Sequence, residues 1–491
     1  MVNCLDVSFL GGVCEVGRSC VFLKSEDTGI LLDCGIKQGE RSQYPSLEMI
    51  DSVDAVILTH AHIDHSGALP LLFSMNKCSS DFVGIFCTPP TVALSHVMLR
   101  DCWKLQQIEW EKFGLVPLYG YQDLVSCLNN FKAVNYHSSF DVGDFTFTFF
   151  ESGHVLGSCF VKIESHEGTL IYTGDIGGFY RSNHLNPSET GVRCDWLIME
   201  STYGESLQHP SIRQVQNNLV DIIKNYFDEQ PSGKILIPAF SFARSQEIMR
   251  LFSLRNLPYP VYYDGMIKHT QPIYDAHVAY MNEDVKNQFY QTRQNPFLGN
   301  FTPIETMNQR WSVIRNKKPA IILAPSGMLN GGWSPFYLSK LNSPENLLLF
   351  VSYEAEETPG RRILDGEKKV KITLLDDEYE WSEEELDVSI RVAKVDGFSA
   401  HASANDLRTF ARSCKPEKIF LVHGELASVE SLNGIFQKDR ILKDVEIIIP
   451  QVGNLYTLET VSVGKDVLKR VVERLDSLEE RVSRIENKLK P

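Results

Sequence analysis

Short apolar runs alternate with polar turns through the first part of the chain. They occupy residues 21–23, 29–33, 55–59, 145–150 and 169–172, and a glycine, serine or histidine lies within two residues after each. Such runs are typical of buried strands, and polar residues repeated at strand ends indicate a site along a sheet edge. We therefore predict a layered α/β domain with its functional site at one edge of its sheets.

A second pattern begins after residue 205. Helical periodicity appears at 215–227 and 243–252, and strand-like runs lie at 234–238, 260–263, 320–323 and 346–351. Strands alternating with helices over this length predict a parallel α/β domain.

Strand-like runs followed by polar residues return at 391–395 and 418–422. The simplest account is that the second domain is inserted within the first. We place the first domain at 1–205 and 389–460, and the insertion at 206–388.

The last segment, 461–491, has apolar residues at alternating spacings of three and four, with charged residues between them. These residues are Leu468, Val471, Leu475, Leu478, Val482, Ile485 and Leu489. They predict a coiled-coil-like helix of about three heptads, which is short for an isolated pair. We favour a homo-oligomer, such as a dimer, over a helix docked on its own chain.

Charge and composition narrow the possible ligands and compartments. The net charge of −15 argues against a broadly basic surface for nucleic acid, so a polyanion would have to be held locally. Basic residues occur at 310–318 and at 361–362, either as such contacts or as solvated surface. The eleven cysteines form no Cys-x-x-Cys pair, and no apolar stretch reaches the ~20 residues of a membrane span. We expect a cytoplasmic protein without a membrane segment.

Four metal-competent side chains follow the apolar run 55–59 directly. They are His60, His62, Asp64 and His65. Imidazole and carboxylate together favour zinc over calcium or magnesium. Alternate residues His60 and His62 can face one ion, whereas Asp64 and His65 would reach a second, so we expect two metals. A polar turn whose histidines only form hydrogen bonds is the alternative.

Other strand-end segments supply further ligand types. They are 151–154 (ESGH), 173–175 (TGD), 398–401 (FSAH) and 421–424 (LVHG). Two zinc ions need about six to eight donors, and the chain has enough. Spacing alone does not show that these segments converge.

The ordered motifs resemble those of the β-CASP branch of the metallo-β-lactamase superfamily. They are 32–35 (LDCG), 60–65 (HAHIDH), 153–154 (GH), 174–175 (GD), 200–204 (ESTYG), 398–401 (FSAH) and 422–425 (VHGE). Residues 237–240, 264–266 and 326–329 resemble that branch's inserted domain. Within the branch, the chain is most similar to the archaeal form of the cleavage and polyadenylation specificity factor nuclease subunit. The resemblance implies an αββα metallo-β-lactamase sandwich with an inserted parallel α/β β-CASP domain.

The resemblance also implies roles for particular residues. His60, His62 and His154 would bind one zinc ion, Asp64, His65 and His423 the other, and Asp175 would bridge both. Asp33 would orient a ligand histidine, with a turn or cap aspartate as the alternative. His401 would protonate the leaving 3′-oxygen and Glu200 would orient His401, with a purely structural pair as the alternative.

The expected chemistry follows from two zinc ions. A water shared between them should ionise near neutral pH and attack phosphorus, leaving a 5′-phosphate and a 3′-hydroxyl. We therefore expect a zinc-dependent endoribonuclease, with 5′–3′ exonuclease activity also open, acting on single-stranded RNA in processing or decay. Other RNA-processing subunits are candidate partners. The alternatives are a small-molecule hydrolase and a non-catalytic scaffold.

One position departs from the family pattern. The family commonly has aspartate two positions after the histidine that aligns with His401, whereas this chain has Ser403. Both residue types can cap a helix N-terminus, so we predict a helix that begins there.

Overall fold

The computed structural model describes residues 5–37, 42–179, 182–297, 299–375 and 380–459. The predicted C-terminal helix at 461–491, and with it the predicted pairing of two copies, lies outside the described residues. Across those described ranges, no helix is both long and apolar enough to cross a bilayer.

Two mixed sheets stack face to face. The strands of the first are β1 (Leu5–Gly11), β2 (Cys20–Lys24), β3 (Gly29–Leu32), β4 (Ala55–Ile57), β5 (Gly84–Cys87), β6 (Phe131–Ala133) and β22 (Leu455–Leu458), in the spatial order β22-β1-β2-β3-β4-β5-β6. Strands β3 to β6 run parallel, and the others pair antiparallel. The glycine-rich segment 11–19 is the turn between β1 and β2.

The second sheet supplies the opposite half of the core. Its strands are β7 (Ser139–Val142), β8 (Phe145–Glu151), β9 (Cys159–Glu164), β10 (Thr169–Tyr172), β11 (Trp196–Glu200), β20 (Lys418–Val422) and β21 (Glu446–Ile448), in the order β21-β20-β11-β10-β9-β8-β7. Phe9 from the first sheet and Phe147 and Trp196 from the second are buried in one shared core.

Helices cover the outer face of each sheet. They are α1 (Ile63–Ser66), α2 (Leu69–Ser74), α3 (Pro89–Phe113) and α4 (Tyr121–Asn129), then α12 (Ala404–Cys414) and α13 (Leu426–Gln437), with a 3-10 helix at Leu47–Met49. Apolar residues of α2, α3 and α4 pack on the first sheet, and those of α12 and α13 pack on the second. These four layers confirm the predicted αββα sandwich. Ser403 accepts a hydrogen bond from the Asp406 amide at the start of α12, as predicted.

A third, all-parallel sheet belongs to the inserted segment. Its strands are β12 (Lys234–Pro238), β13 (Val261–Tyr263), β14 (Phe301–Pro303), β15 (Ala320–Ala324), β16 (Leu347–Phe350) and β19 (Arg391–Lys394), in the order β14-β13-β15-β12-β16-β19. Helices α5 (Ile212–Glu229) and α6 (Arg244–Leu254) cover one face, and α9 (Met307–Arg315), α10 (Ser334–Leu341) and α11 (Pro359–Leu364) cover the other. Helices α7 (Ile267–Ala276) and α8 (Glu283–Thr292), a 3-10 helix at Val278–Tyr280, and the hairpin β17 (Lys369–Leu375) with β18 (Trp381–Asp387) complete the insertion. The predicted parallel inserted domain is confirmed.

The run at 391–395 was wrongly placed in the closing part of the first domain. Strand β19 instead pairs parallel with β16, with Leu347 opposite Arg391, and forms an edge of the third sheet. Which strand a segment pairs with depends on contacts that are distant in sequence, so the local apolar pattern does not predict it.

The insertion leaves and re-enters the second sheet at neighbouring strands. It departs after β11, and β20 then pairs parallel with β11 so that Val422 lies opposite Glu200. Because parallel strands end at the same edge, residues far apart in sequence meet there.

Candidate active site

The candidate residues lie at strand ends where the two stacked sheets share one edge. Leu32 of β3 pairs with Ile57 of β4, so Asp33 and the segment after residue 57 leave the first sheet together. In the second sheet, the ends of β10, β11 and β20 place Asp175, Glu200 and His423 on the same side. His62 is the N-cap residue of the four-residue helix α1, which carries Asp64 and His65.

One ligand cluster combines three histidines with a carboxylate. His60 Nε2 lies 3.1 Å from His62 Nδ1, and His154 Nε2 lies 3.2 Å from the same atom. Asp175 Oδ2 is 3.6 Å from His60 Nε2 and 3.4 Å from His154 Nε2. Four donor atoms therefore converge within the reach of one ion.

A second cluster lies on the other side of Asp175. His65 Nε2 is 3.2 Å and His423 Nε2 is 3.5 Å from Asp175 Oδ1. Asp64 Oδ2 is 3.9 Å from His65 Nε2 and 3.7 Å from His423 Nε2. The two oxygens of one buried carboxylate thus face two separate groups of donors.

Hydrogen bonds fix which nitrogen of each buried histidine faces the clusters. The carboxylate of Asp33 can only accept, so His65 Nδ1 donates to it (2.7 Å) and leaves Nε2 facing Asp175. Thr59 Oγ1 donates to Asp33 and so accepts from His60 Nδ1 (3.1 Å). His154 Nδ1 lies 3.3 Å from the carbonyl oxygen of Ala400. Because a carbonyl oxygen only accepts, Nδ1 is the nitrogen that carries the proton. In the neutral rings of His60, His65 and His154, Nε2 is therefore the unprotonated, ligand-competent nitrogen.

The electrostatics of the first cluster also suit a cation. Burial lowers the pKa of His62 to about 4, and burial likewise holds the pKa of His60 and His154 well below the usual range. Burial would raise the pKa of Asp175, but the neighbouring His423 and His65 hold it well below its usual value. Neutral imidazoles around an ionised carboxylate are the donor set that zinc prefers.

Two buried atoms lack the partners that such groups normally have. Within the described residues, Asp175 Oδ1 and His423 Nε2 are both buried without a hydrogen bond. Buried polar atoms are nearly always paired with protein, water or an ion. Both atoms belong to the second cluster, so the residues there fit a divalent cation.

The carboxylate of Asp33 accepts four hydrogen bonds. Its Oδ1 accepts from the Thr59 amide (2.7 Å), and its Oδ2 accepts from Thr59 Oγ1 (2.8 Å), Tyr172 Oη (2.8 Å) and His65 Nδ1 (2.7 Å). The side chain is fully buried. Through Oδ2, the Asp33 carboxylate holds the Nδ1 side of the His65 ring.

His401 and Glu200 form a pair beside the clusters. His401 Nδ1 lies 3.1 Å from Glu200 Oε2 and 4.0 Å from Asp175 Oδ2. Glu200 is buried and its Oε1 also accepts from the Ile176 amide, whereas the His401 side chain remains 21% exposed. The ring can therefore reach a substrate while the carboxylate holds it.

The surroundings of His401 favour its protonated form. Burial would lower its pKa, but the Glu200 carboxylate, followed by Asp175, raises the pKa of His401 to about 9. A cation beside Asp175 would cancel part of that aspartate's effect, whereas the contact with Glu200 would remain. The pair can therefore hold a proton next to the clusters at neutral pH.

Several supporting residues were not found from the sequence. Ser19 Oγ lies 2.7 Å from His423 Nδ1 and anchors that ring from the turn after β1. Tyr172 binds Asp33, and the Phe242 ring from the inserted domain lies 4.7 Å from the His62 ring. Gly35 allows the backbone near Asp64 to pack closely, because a Cβ there would lie 1.7 Å from the Asp64 carbonyl oxygen. Gly35 could have been singled out because it belongs to the motif LDCG, whereas the other residues make contacts between segments far apart in sequence.

The two basic clusters considered from the sequence are engaged within the protein. Arg310 is buried and binds Asp264 through Nε (2.7 Å) and Nη2 (2.9 Å). Arg361 Nε bonds to Asp365 (2.9 Å), and Arg362 bonds to Glu367 through two nitrogens. Arg310 is therefore not part of a solvated surface, whereas Arg361 and Arg362 are exposed and paired with neighbouring carboxylates.

Comparison with known proteins covers most of the chain. Residues 22–202 match the family model of a metallo-beta-lactamase superfamily domain, 246–363 that of the Beta-Casp domain, and 385–440 that of the Zn-dependent metallo-hydrolase RNA specificity domain.

Similar proteins include "Transcription termination factor FttA" of Methanocaldococcus jannaschii, 34% identical over 456 residues, which are 88% of this chain and 70% of that protein. An "RNase J-like protein" of the same organism is 32% identical over 431 residues, 85% of this chain and 92% of that one. A crystal structure of a protein of unknown function from Enterococcus faecalis V583 superposes with a TM-score of 0.56 at 14% identity, covering 93% of this chain and 100% of that chain, and shows the fold alone.

The order of domains and the extent of these matches agree with the motifs and with the sandwich that carries them. The chain therefore belongs to the β-CASP nuclease branch of the metallo-β-lactamase superfamily, in the family of the archaeal FttA and RNase J-like proteins.

Proposed function

We propose that this chain is a zinc-dependent ribonuclease that hydrolyses phosphodiester bonds of single-stranded RNA. The observation that carries the proposal is one buried carboxylate, Asp175, shared by two clusters of donors, with the His401 ring 4.0 Å from it. Two adjacent cation sites beside a group that holds a proton are the parts that phosphodiester hydrolysis needs.

The proposed ligands divide between the two clusters. His60, His62, His154 and Asp175 Oδ2 would hold one ion, and Asp64, His65, His423 and Asp175 Oδ1 the other. Cations held by these residues would lower the pKa of an attacking water and offset the charge on the phosphate oxygens. Imidazole and carboxylate donors without thiolate fit zinc.

His401 is proposed to protonate the leaving 3′-oxygen. Its Nδ1 is bound to Glu200, so the proton is delivered from Nε2 on the exposed side of the ring. Because the 3′-oxygen leaves with that proton, the products carry a 3′-hydroxyl and a 5′-phosphate. Glu200 acts as a positioning residue, since it touches His401 and the Ile176 amide.

RNA as the substrate is supported by the relatives and by the position of the acid. The RNA specificity domain match at 385–440 contains His401, and one relative is an RNase J-like protein. Arg244 of the inserted domain donates to the carbonyl of Phe398, three residues before His401. The site thus lies where the two domains meet. One relative is named a transcription termination factor and another an RNase J-like protein, which supports a role for the reaction in RNA metabolism.

The test is a cleavage assay with end-labelled single-stranded RNA, run beside a thioester substrate, with and without chelator. We expect RNA cleavage that chelation abolishes and zinc restores, and internal products distinguish endonuclease action from loss of nucleotides at the 5′ end. Thioester hydrolysis without RNA cleavage would support a small-molecule hydrolase. RNA cleavage retained by a His60→Ala, Asp64→Ala double variant would overturn the ligand assignment.

A further inference from the structure

Two aromatic side chains are exposed at the carboxyl edge of the third sheet. Phe240 follows β12 by two residues and is 40% exposed, and Tyr353 follows β16 by three residues and is 59% exposed. Strands β12 and β16 are paired parallel neighbours, with Leu236 opposite Leu348. Their ends therefore leave the sheet side by side, at the edge where parallel α/β domains bind ligands.

Phe240 lies close to the first donor cluster. Phe242, two residues later, is 2% exposed and packs its ring 4.7 Å from that of His62. Two residues span at most about 7 Å of chain, so Phe240 is held within that distance of Phe242. One ring of this segment is used to pack on a ligand histidine, and the other is left facing solvent.

Tyr353 lies on the side of His401. The Tyr203 ring is 6.0 Å from the His401 ring and 5.0 Å from that of His209. Strand β16 pairs parallel with β19, with Phe350 opposite Lys394, so the segments that carry Tyr353 and His401 leave neighbouring strand ends at one edge. The Phe240 segment thus approaches the site beside His62, and the Tyr353 segment approaches it beside His401.

We propose that Phe240 and Tyr353 stack on the bases of single-stranded RNA, on either side of the phosphate that is cleaved. The inference rests on the proposed function and specifies how that site holds its substrate. The chain has a net charge of −15, and Arg310, Arg361 and Arg362, from the two basic clusters noted in the sequence, already bond to acidic side chains. Stacking supplies affinity without cations, and it tolerates any sequence because every base has a π-face.

The experiment measures RNA binding by fluorescence anisotropy with the zinc-loaded chain in a His401→Ala background, in which cleavage should be slow enough for the probes to stay intact. The probes are an oligouridine of about ten nucleotides and an abasic strand of the same length, within the usual span of a single-strand site. Each probe is shown to be intact on a gel after the titration. The variants are Phe240→Leu and Tyr353→Leu, which keep an apolar side chain, with Tyr353→Phe retaining the ring. Tyr290→Leu on α8 is the matched control, because that ring is similarly exposed at 52%.

We expect Phe240→Leu and Tyr353→Leu each to weaken oligouridine binding by roughly 5- to 100-fold, the range for loss of one stacked base. Binding of the abasic strand should not change, and Tyr353→Phe and Tyr290→Leu should bind oligouridine like the wild type. Unchanged thermal midpoints will show that the variants are folded.

Two other outcomes contradict the inference in different ways. If the variants bind oligouridine as tightly as the wild type, or lose affinity equally for the abasic strand, the stacking role is wrong while the nuclease proposal stands. If the wild type neither binds nor cleaves RNA, the proposed function fails and the stacking role fails with it.

Discussion

Replacing Asp33 with asparagine should weaken metal binding without removing any metal ligand. The residue is fully buried and has a φ of +56°, a conformation that asparagine also tolerates, so the backbone should not change. Oδ1 accepts from the Thr59 amide, whose proton cannot move, so the amide oxygen of the new side chain must stay there. The NH₂ group then takes the place of Oδ2 and faces His65 Nδ1.

That exchange changes the tautomer of His65. Nδ1 must now accept a hydrogen bond, which puts the ring proton on Nε2, the atom 3.2 Å from Asp175 Oδ1. A protonated nitrogen cannot bind a cation until the proton is lost or the ring turns. Loss of such an orienting partner typically lowers metal affinity by about 10- to 100-fold, or about 1.4 to 2.7 kcal/mol.

Zinc content and competition with a chromophoric chelator measure the effect. Tyr172→Phe is the matched control, because it removes one bond from the same carboxylate and leaves the His65 contact intact. We expect Asp33→Asn to lose zinc from one of two sites, whereas Tyr172→Phe keeps both and loses only about 0.5 to 1.5 kcal/mol of folding stability. Equal zinc affinity in Asp33→Asn and the wild type, or equal losses in both variants, would refute the tautomer argument and leave Asp33 as a turn residue.

Three further predictions concern the acid, the domain contact and a buried carboxyl group. His401→Ala should slow RNA cleavage by about 10²- to 10⁴-fold with unchanged zinc content, and a fall in zinc content instead would mean that His401 is a ligand. Phe242→Ala should lower both the thermal midpoint and the zinc affinity, because it removes a buried ring of the inserted domain that packs against His62. Calorimetry measures the midpoint, and a chelator titration measures the affinity. Burial raises the pKa of Glu354 from 4.5 to about 7 although Lys394 opposes it, so the carboxyl group disfavours folding increasingly as the pH rises through that interval. Glu354→Gln should therefore flatten the fall in thermal midpoint between about pH 4.5 and 7 relative to the wild type, and parallel curves would contradict the prediction.

The strand-end motifs predicted much of the fold and the site because their chemistry is local. The segment from His60 to His65 carries its ligands within one turn of chain, and a short apolar strand before it fixes where they emerge. The partners of these ligands could not be predicted in the same way. Ser19 meets His423 across 404 residues of sequence, and nothing near either residue indicates the other.

The sequence is a poor guide to secondary structure where long-range contacts decide whether a segment forms a strand. The segment Trp381–Asp387 is strongly acidic, which is unusual in strands, yet it forms strand β18 and pairs along its whole length with β17. Leu386 is buried while most of its acidic neighbours face solvent, so the strand has one short apolar face that its charge obscures. Arg310 shows the same limitation, since it was a candidate surface cation and is buried against Asp264.

The return of the chain to the second sheet at β20 has a consequence for biosynthesis. His60, His62, His154 and Asp175 all precede the insertion, so the first cluster can form from the part of the chain that leaves the ribosome first. The second cluster needs His423, and the acid needs His401, both of which follow the inserted domain. Domains fold largely in the order in which they are synthesised. If the proposed ligands are correct, a nascent chain would complete its two cation sites one after the other, and the proposed hydrolytic site would be complete only when almost the entire described chain has been made.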